Sequence, residues 1–156
     1  MNLTRQRGFT LIEAMTVVAL LAIVGAIAAP SFRSFIATMN SKSAAFDLIN
    51  DLTLARSEAI KRNANALVAP VGGDWAKGWQ VTSGAETLRE RPALASTLSI
   101  SGAPTAGVTF RPNGRLPDDT ATANLKWSVN SSISGVSARC VVVTPTGAAR
   151  SKMGGC

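Results

Sequence analysis

The hydrophobic residues of this chain are distributed in two different ways along its length. From Leu11 to Ala29 nearly every position is apolar, and the run stops at Pro30 with one charged residue inside it, Glu13. Beyond Asn63 the apolar residues occur in short runs that are separated by glycine, proline and asparagine. The first pattern is typical of a helix that crosses a membrane, and the second is typical of antiparallel strands.

Residues 31–69 contain neither glycine nor proline, so a helix can continue beyond the apolar run. Two sets of apolar residues follow helical spacing there, and they predict packing onto both a sheet and neighbouring helices. The sets are Leu48, Leu52, Ala55 and Ala59, and Phe32, Phe35, Ile36, Met39, Phe46 and Ile49. The predicted helix runs from about Phe9 to Asn63 and is about 80 Å long at 1.5 Å per residue. Half of it is a membrane span and half is the spine of a head domain.

Short β-like runs follow the helix, and each is bounded by turn residues such as Pro112-Asn113-Gly114. These runs predict antiparallel strands that fold against the outer half of the helix, and therefore an α+β fold. The predicted strands are Ala66–Val71, Gly78–Thr82, Thr87–Arg91, Thr97–Ser101, Gly107–Phe110, Leu125–Val129 and Arg139–Thr144.

The basic residues before the apolar run admit more than one interpretation of the N-terminus. Arg5 and Arg7 precede the run, as in a secretory signal peptide, and Ala26-Ile27-Ala28 then supplies the small residues of a cleavage site. The same residues also suit a plain signal anchor with a cytoplasmic N-terminus. Neither a signal peptide nor a plain signal anchor benefits from an acidic residue within its apolar run.

Glu13 favours a third interpretation, in which the leader is cut after Gly8 and the apolar helix stays in the mature protein. A carboxylate within a membrane span costs about 2.5–3.5 kcal/mol on insertion scales. Cleavage after Gly8 frees the α-amine of Phe9, four residues before Glu13 on the same helix. The carboxylate can then pair with that amine, in its own chain or in a neighbouring copy, and so contribute to assembly.

Composition excludes several classes of site. The chain has no histidine, which excludes a His-based triad or a His metal site, and its two cysteines are far from any C-x-x-C arrangement. We therefore expect no metal and no cofactor. In an oxidising compartment Cys140 and Cys156 predict a disulfide, which contributes on the order of 3 kcal/mol by closing a loop of about 15 residues.

No enzymatic arrangement is present in the sequence. Asp118 and Asp119 are adjacent in a predicted turn, where turn or capping chemistry is the better interpretation than acid–base or calcium chemistry. Gly72-Gly73 lacks the spacing of a phosphate-binding loop. We therefore expect that the protein is not an enzyme.

The N-terminal motif resembles that of a known superfamily. Gly8-Phe9-Thr10-Leu11-Ile12-Glu13 is similar to the prepilin peptidase site of type IV pilins and type II secretion pseudopilins. The resemblance implies cleavage after Gly8, N-methylation of Phe9 and a role for Glu13 in processing or assembly. It also implies three regions: a leader (1–8), a transmembrane and assembly helix (9–30), and a periplasmic head (31–156) that includes the outer half of the helix, about 31–63.

Three downstream segments resemble the FimT/FimU–GspH minor pilin family within that superfamily. They are the helix end Ala55–Asn63, the strand around Asp74–Val81 with its W-x-x-G-W pattern, and the turn Phe110–Gly114. The resemblance implies the type IV pilin-like fold, a long N-terminal helix packed on antiparallel sheets. From the residues themselves, Trp75 and Trp79 are interpreted as core residues rather than ligand-stacking residues.

The same resemblance implies three alternative roles. The first is a minor pilin at the tip of a type IV pilus, or one that primes its assembly. The others are a GspH-like pseudopilin of type II secretion and a FimT-like competence pilin that binds double-stranded DNA. The implied partners are other major and minor pilins, through the N-terminal helix, and prepilin peptidase. The implied location is the inner membrane of a Gram-negative bacterium, then the filament.

The DNA-binding alternative depends on the C-terminal region. In the FimT-like subfamily binding is placed on a G-R-x-R motif, which Gly147 and Arg150 match, whereas Ala148 stands where the motif has its first arginine. Arg139 and Lys152 are further basic residues near the cysteine loop, and they are expected to contribute phosphate contacts. The net charge of +7 is compatible with either nucleic acid or anionic lipid.

Overall fold

The computed structural model describes residues 9–117 and 124–156. The predicted leader, including Gly8, lies outside these residues, as does the Asp118-Asp119 pair. One helix, α1 (Leu11–Arg62), occupies a third of the chain and has 52 residues. Its ends fall within two residues of those that the sequence predicts.

Both ends of α1 are capped by nearby residues. At the N-terminus the Thr10 hydroxyl accepts a hydrogen bond from the backbone N–H of Glu13 at 3.3 Å. At the C-terminus Asn63 adopts a left-handed conformation with φ 49°, and its N–H donates to the carbonyl oxygens of Ala59 and Ile60. Lys61 and Arg62 occupy the last turn, where positive charge suits the helix dipole.

Pro30 lies inside α1 and does not end it. Proline has no N–H to donate within the helix, so one hydrogen bond is missing at the point where the apolar run stops. Residues before Ala37 are exposed or only partly covered, whereas a stripe of α1 from Ala37 to Ala59 is buried. The helix therefore divides into an uncovered N-terminal half and an outer half that packs on the head.

Eight strands form two four-stranded antiparallel sheets. The first sheet has the order β3-β2-β1-β5 and the second has the order β4-β6-β7-β8. The strands are β1 (Ala66–Pro70), β2 (Trp79–Ser83), β3 (Glu86–Arg91), β4 (Leu98–Ser101), β5 (Val108–Phe110), β6 (Leu125–Ser131), β7 (Arg139–Val143) and β8 (Ala149–Met153). The seven predicted strands correspond to β1–β7, and β8 was not predicted. The α+β, type IV pilin-like fold class is confirmed.

The core lies between the outer half of α1 and both sheets. Leu48 and Leu52 of α1 are completely buried, as are Phe110 and Trp127 of the strands. Trp75 contacts Trp127 edge-to-face, with ring centroids 5.6 Å apart. Trp75 and Trp79 are 3% and 1% exposed, which agrees with their interpretation as core residues.

Candidate functional site: the apolar helix and the basic face

The N-terminal half of α1 carries an apolar surface that no other described part of the chain covers. Exposure is 84% for Phe9, 81% for Leu11 and 72% for Ile27. Nothing lies within 4 Å of a Cβ placed on Gly25, so another helix can approach closely there. This part of α1 is long and apolar enough to cross a membrane.

Glu13 lies in the first turn of this uncovered segment. Its position suits the positive end of the helix dipole, and its side chain is exposed. Within residues 9–117 and 124–156 its carboxylate has no ion-pair partner.

Strand pairing brings three basic residues onto one face of the second sheet. Val142 of β7 pairs with Lys126 of β6 on one side and with Arg150 of β8 on the other. Paired residues of antiparallel strands share a face, and Lys152 shares it as well because it lies two residues after Arg150. Lys126, Arg150 and Lys152 are exposed and line a groove of about 300 Å³ with Asn124.

Arg139 lies on the other face of that sheet. It pairs with Val129, a buried residue of the core-facing side, and Arg139 itself is half-buried. The structure therefore brings Arg150 and Lys152 together but not Arg139, although all three were expected to contribute to one phosphate-binding patch. The third basic residue of the groove is Lys126 rather than Arg139. The sequence did not predict this, because Lys126 lies on another strand and only the register of β6 and β7 places it beside Arg150 and Lys152.

Gly147 has a structural role in the turn between β7 and β8. A Cβ on Gly147 would lie 2.1 Å from the carbonyl oxygen of Gly114 and 3.0 Å from Nε of Arg56. Arg56 Nε donates to that same Gly114 oxygen at 3.0 Å. The end of α1, the turn after β5 and the β7–β8 turn thus meet at Arg56, which ties the helix to the two turns. Gly147 is buried, so its role is to allow this close approach of the backbone rather than to contact a ligand.

The predicted disulfide is present. Cys140 of β7 is bonded to Cys156, with Cα atoms 5.0 Å apart and 16 residues of separation. The whole of β8 lies inside the closed loop, so the bond holds the strand that carries Arg150 and Lys152 at both ends. Because β8 is an edge strand with one neighbour, this constraint helps to keep it paired.

A buried carboxylate joins α1 to the first sheet. Asp51 is completely buried and accepts hydrogen bonds from Arg91 Nε at 2.8 Å, Trp79 Nε1 at 2.9 Å and Arg89 Nη1 at 3.1 Å. Its charge is therefore matched by two guanidinium groups. The hydrogen bond to Asp51 raises the pKa of Arg91, and the charge of Asp47 contributes as well. The sequence does not reveal this site, because Arg89 and Arg91 lie 38 and 40 residues from Asp51 along the chain.

A smaller ionic group lies at the surface near the end of α1. Arg62 Nε donates to Glu58 Oε2 at 2.7 Å, and Arg62 also pairs with Glu86 at the start of β3. These hydrogen bonds lower the pKa values of both glutamates. A lowered carboxyl pKa stabilises the fold above the unfolded-state value, and that contribution is lost as the pH falls through the folded-state value. Glu58 thus pairs with both Lys61 and Arg62 of the last turn.

Comparison with known proteins identifies the family. The family model of the type II transport protein GspH matches residues 44–147, which is more than half of the chain. The chain belongs to the GspH family. A second match, to the prokaryotic N-terminal methylation motif, covers residues 3–29 and coincides with the leader and the uncovered part of α1.

Solved structures of two GspH-like proteins share this fold. Two crystal structures of the type IV minor pilin FimU of Pseudomonas aeruginosa match this chain with 24% and 27% sequence identity, and both have a TM-score of 0.56. Each match covers 72% of this chain; the matches cover 90% and 86% of the FimU chains, respectively. The minor pseudopilin EpsH of the Vibrio cholerae type 2 secretion system is 14% identical to this chain, with a TM-score of 0.55. The match covers 73% of this chain and 97% of the EpsH chain. The chain is therefore a pilin or pseudopilin of the type IV pilus and type II secretion class.

Within the described residues, no group of three or more Cys, Asp or Glu side chains is placed to hold a metal ion. The sites that the structure does show are surfaces for contact: an uncovered apolar helix and a basic groove.

Proposed function

We propose that this chain is a minor pilin of a type IV pilus, which is incorporated into the filament or primes its assembly at the tip. The observation that carries the proposal is the uncovered apolar half of α1 with an exposed carboxylate, Glu13, in its first turn. Such a helix suits lipid before assembly and protein neighbours after it, because both surroundings are apolar. The protein is not an enzyme, and its partners are other major and minor pilins.

The sequence of events starts at the inner membrane of a Gram-negative bacterium, with the head in the periplasm. Prepilin peptidase cuts after Gly8, and the new N-terminal residue Phe9 is methylated. The match of residues 3–29 to the methylation motif supports this step. Glu13 then pairs with the terminal amine of its own chain or of a neighbouring subunit, which offsets the cost of a carboxylate in an apolar surrounding.

Intact-mass measurement of the protein isolated from its native membrane tests the processing step. We expect a mature chain that begins at methylated Phe9. A chain that begins at Ala29 would show a discarded signal peptide and would overturn the proposal. A chain that keeps Met1 would show a plain anchor and would overturn it as well. Gly8→Ala is the matched variant, and unprocessed chain should accumulate when cleavage after residue 8 is blocked.

The alternative is a GspH-like role in type II secretion. The higher identity to FimU than to EpsH supports the pilus. Shearing pili from cells and probing the sheared fraction for this chain separates the two roles. Presence in pili, together with unchanged secretion in a deletion strain, supports the pilus; a secretion defect with normal pili supports the pseudopilus. Genome neighbourhood gives an independent answer, because the two machines are encoded in different operons.

A second candidate function, DNA binding by a FimT-like competence pilin, is favoured by one specific observation. Lys126, Arg150 and Lys152 lie on one exposed face and line one groove. Cations spaced along adjacent strands neutralise phosphates without reading sequence, and affinity then depends on how many phosphates they contact. Gly147 and Arg150 match the G-R-x-R pattern, and the groove supplies Lys126 in addition.

Gel shifts of the purified protein with duplex DNA across a salt series test this candidate. Arg150→Ala and Lys126→Ala should each weaken binding and reduce the salt slope by about one unit, because each removes one phosphate contact. Arg139→Ala is the control, since it removes the same charge from the other face. No binding at low salt, or equal losses for Arg139→Ala and Arg150→Ala, would contradict DNA binding in this groove.

A further inference from the structure

An apolar groove lies between the lower part of α1 and the head, just beyond the predicted membrane span. Phe32, Ile36 and Ala37 of α1 form one wall, and Ala95–Thr97 and Ile133 form the other, around a volume of about 490 Å³. Arg33 also lines it. Phe32 is 65% exposed and Ile36 is 43% exposed, so the described residues leave much of this wall uncovered.

The position of the groove along α1 gives its depth relative to a bilayer. The run Leu11–Ala29 is about 28 Å long as a helix, close to the roughly 30 Å of a hydrocarbon core. Phe32 and Arg33 then lie about 5 Å beyond the end of the core, and Ile36 lies about 10 Å beyond it. The headgroup layer on each side is roughly 5–8 Å thick, so the lower end of the groove lies within it.

The side chains of the groove suit that layer. Phe32 lies at the level of the headgroups and is 65% exposed. Its apolar ring suits burial at the boundary between headgroups and acyl chains. Basic side chains next to a membrane are attracted to acidic lipids. Arg33 provides such a charge inside the groove itself.

We propose that this groove is a lipid-contact site, in which the head of the unassembled subunit rests on the bilayer with acidic phospholipid headgroups against Arg33. The inference rests on the proposed membrane insertion of α1, and it adds a defined orientation of the head. The head is then held close to the membrane by Ala95–Thr97 and Ile133, and extraction into a filament must remove these contacts.

The test uses the full-length protein, one copy per lipid nanodisc, with a single fluorophore at an introduced cysteine. Both natural cysteines are bonded to each other, so the label is selective. Ser96→Cys reports on the groove, and Thr53→Cys reports on an exposed point about 25 Å farther along α1. Val18→Cys reports on the span. Quenching is measured with spin-labelled lipids. The spin label is on the headgroup for the measurements at Ser96 and Thr53, and on the acyl chain for the measurement at Val18.

We expect strong quenching at Ser96 and Val18 and little at Thr53. Equal quenching at Ser96 and Thr53, with Val18 quenched, would overturn the lipid site alone. Loss of quenching at Val18 would overturn membrane insertion, and the lipid site with it. If Ser96 is not quenched by lipid in one-copy discs, and its fluorescence changes only in discs that hold two copies, the occupant is a neighbouring subunit and the lipid site is refuted.

The role of Arg33 is tested by lipid composition. On discs that contain phosphatidylglycerol, Arg33→Glu should lose most of the quenching at Ser96, while on purely zwitterionic discs the variant should match the parent. Lys42→Glu, which makes the same charge change two turns farther from the membrane, is the control and should leave quenching unchanged. Equal losses for Arg33→Glu and Lys42→Glu would refute a specific headgroup contact at Arg33.

Discussion

Asp51 shows how a single residue determines the way the helix meets the sheets. An unpaired buried carboxylate is strongly unfavourable, yet this one accepts hydrogen bonds from three side chains of β2 and β3. Arg89 and Arg91 are partly exposed, so they bring charge to the buried oxygens while their own charge stays partly hydrated. The arrangement fixes the rotation of α1 about its axis, because only one helical position presents Asp51 to all three donors.

We expect Asp51→Ala to lower the free energy of unfolding of the head by about 2–4 kcal/mol, since it leaves the buried Trp79 N–H without a partner and removes two ion pairs. Asp47→Ala is the matched control. Asp47 is 36% exposed and pairs with Arg91 alone at 3.3 Å, so its loss should cost less than about 1 kcal/mol. Denaturant unfolding followed by tryptophan fluorescence measures both, and equal effects would contradict a specific role for Asp51.

At the scale of secondary-structure elements, the sequence predicts the helix and the strands that are specified by local residue patterns. α1 is recognised from helical spacing and the absence of glycine and proline, and β1–β7 from apolar runs between turns. β8 was missed because Ala149–Met153 contains no β-branched or aromatic residue and has two charges. Its strand conformation comes from pairing with β7 and from the disulfide. The basic groove was only half-predicted for the same reason, since it depends on the register of three strands.

The β7–β8 turn is held by hydrogen bonds among its own residues and by close packing on Gly114 and Arg56, and Gly147 tests the packing. Gly147→Ala should destabilise the head by at least about 1 kcal/mol, because φ is +80° and the new Cβ meets the Gly114 carbonyl. Gly135→Ala is the control: its φ is +79° and nothing lies within 4 Å. A thermal midpoint equally low for both variants would show that backbone strain alone matters. Reduced DNA binding by Gly147→Ala therefore reports on the turn, not on a contact.

At the scale of the whole molecule, the chain consists of a head with its own core and a helix half that has none. The buried residues of α1 begin at Ala37, and every large apolar side chain between Leu11 and Phe35 is exposed. Under the proposed function, lipid covers that surface in a single subunit and neighbouring subunits cover it in the filament. The head has its own core, so we expect it to stay unchanged while the uncovered half changes its surroundings.

This division predicts that Glu13 affects assembly without affecting the head. Glu13→Val removes a carboxylate whose insertion costs about 2.5–3.5 kcal/mol, so membrane insertion should be retained or strengthened. Incorporation into sheared filaments should fall at least about tenfold, because about 1.4 kcal/mol of lost pairing already gives that factor. Thr16→Val, on the same exposed segment, is the control and should assemble normally. The thermal midpoint of the head, followed by tryptophan fluorescence, should be the same for both variants and the parent. Normal incorporation of Glu13→Val would show that the charge has no partner in the filament, and a lowered midpoint would show that the two halves of the molecule are coupled.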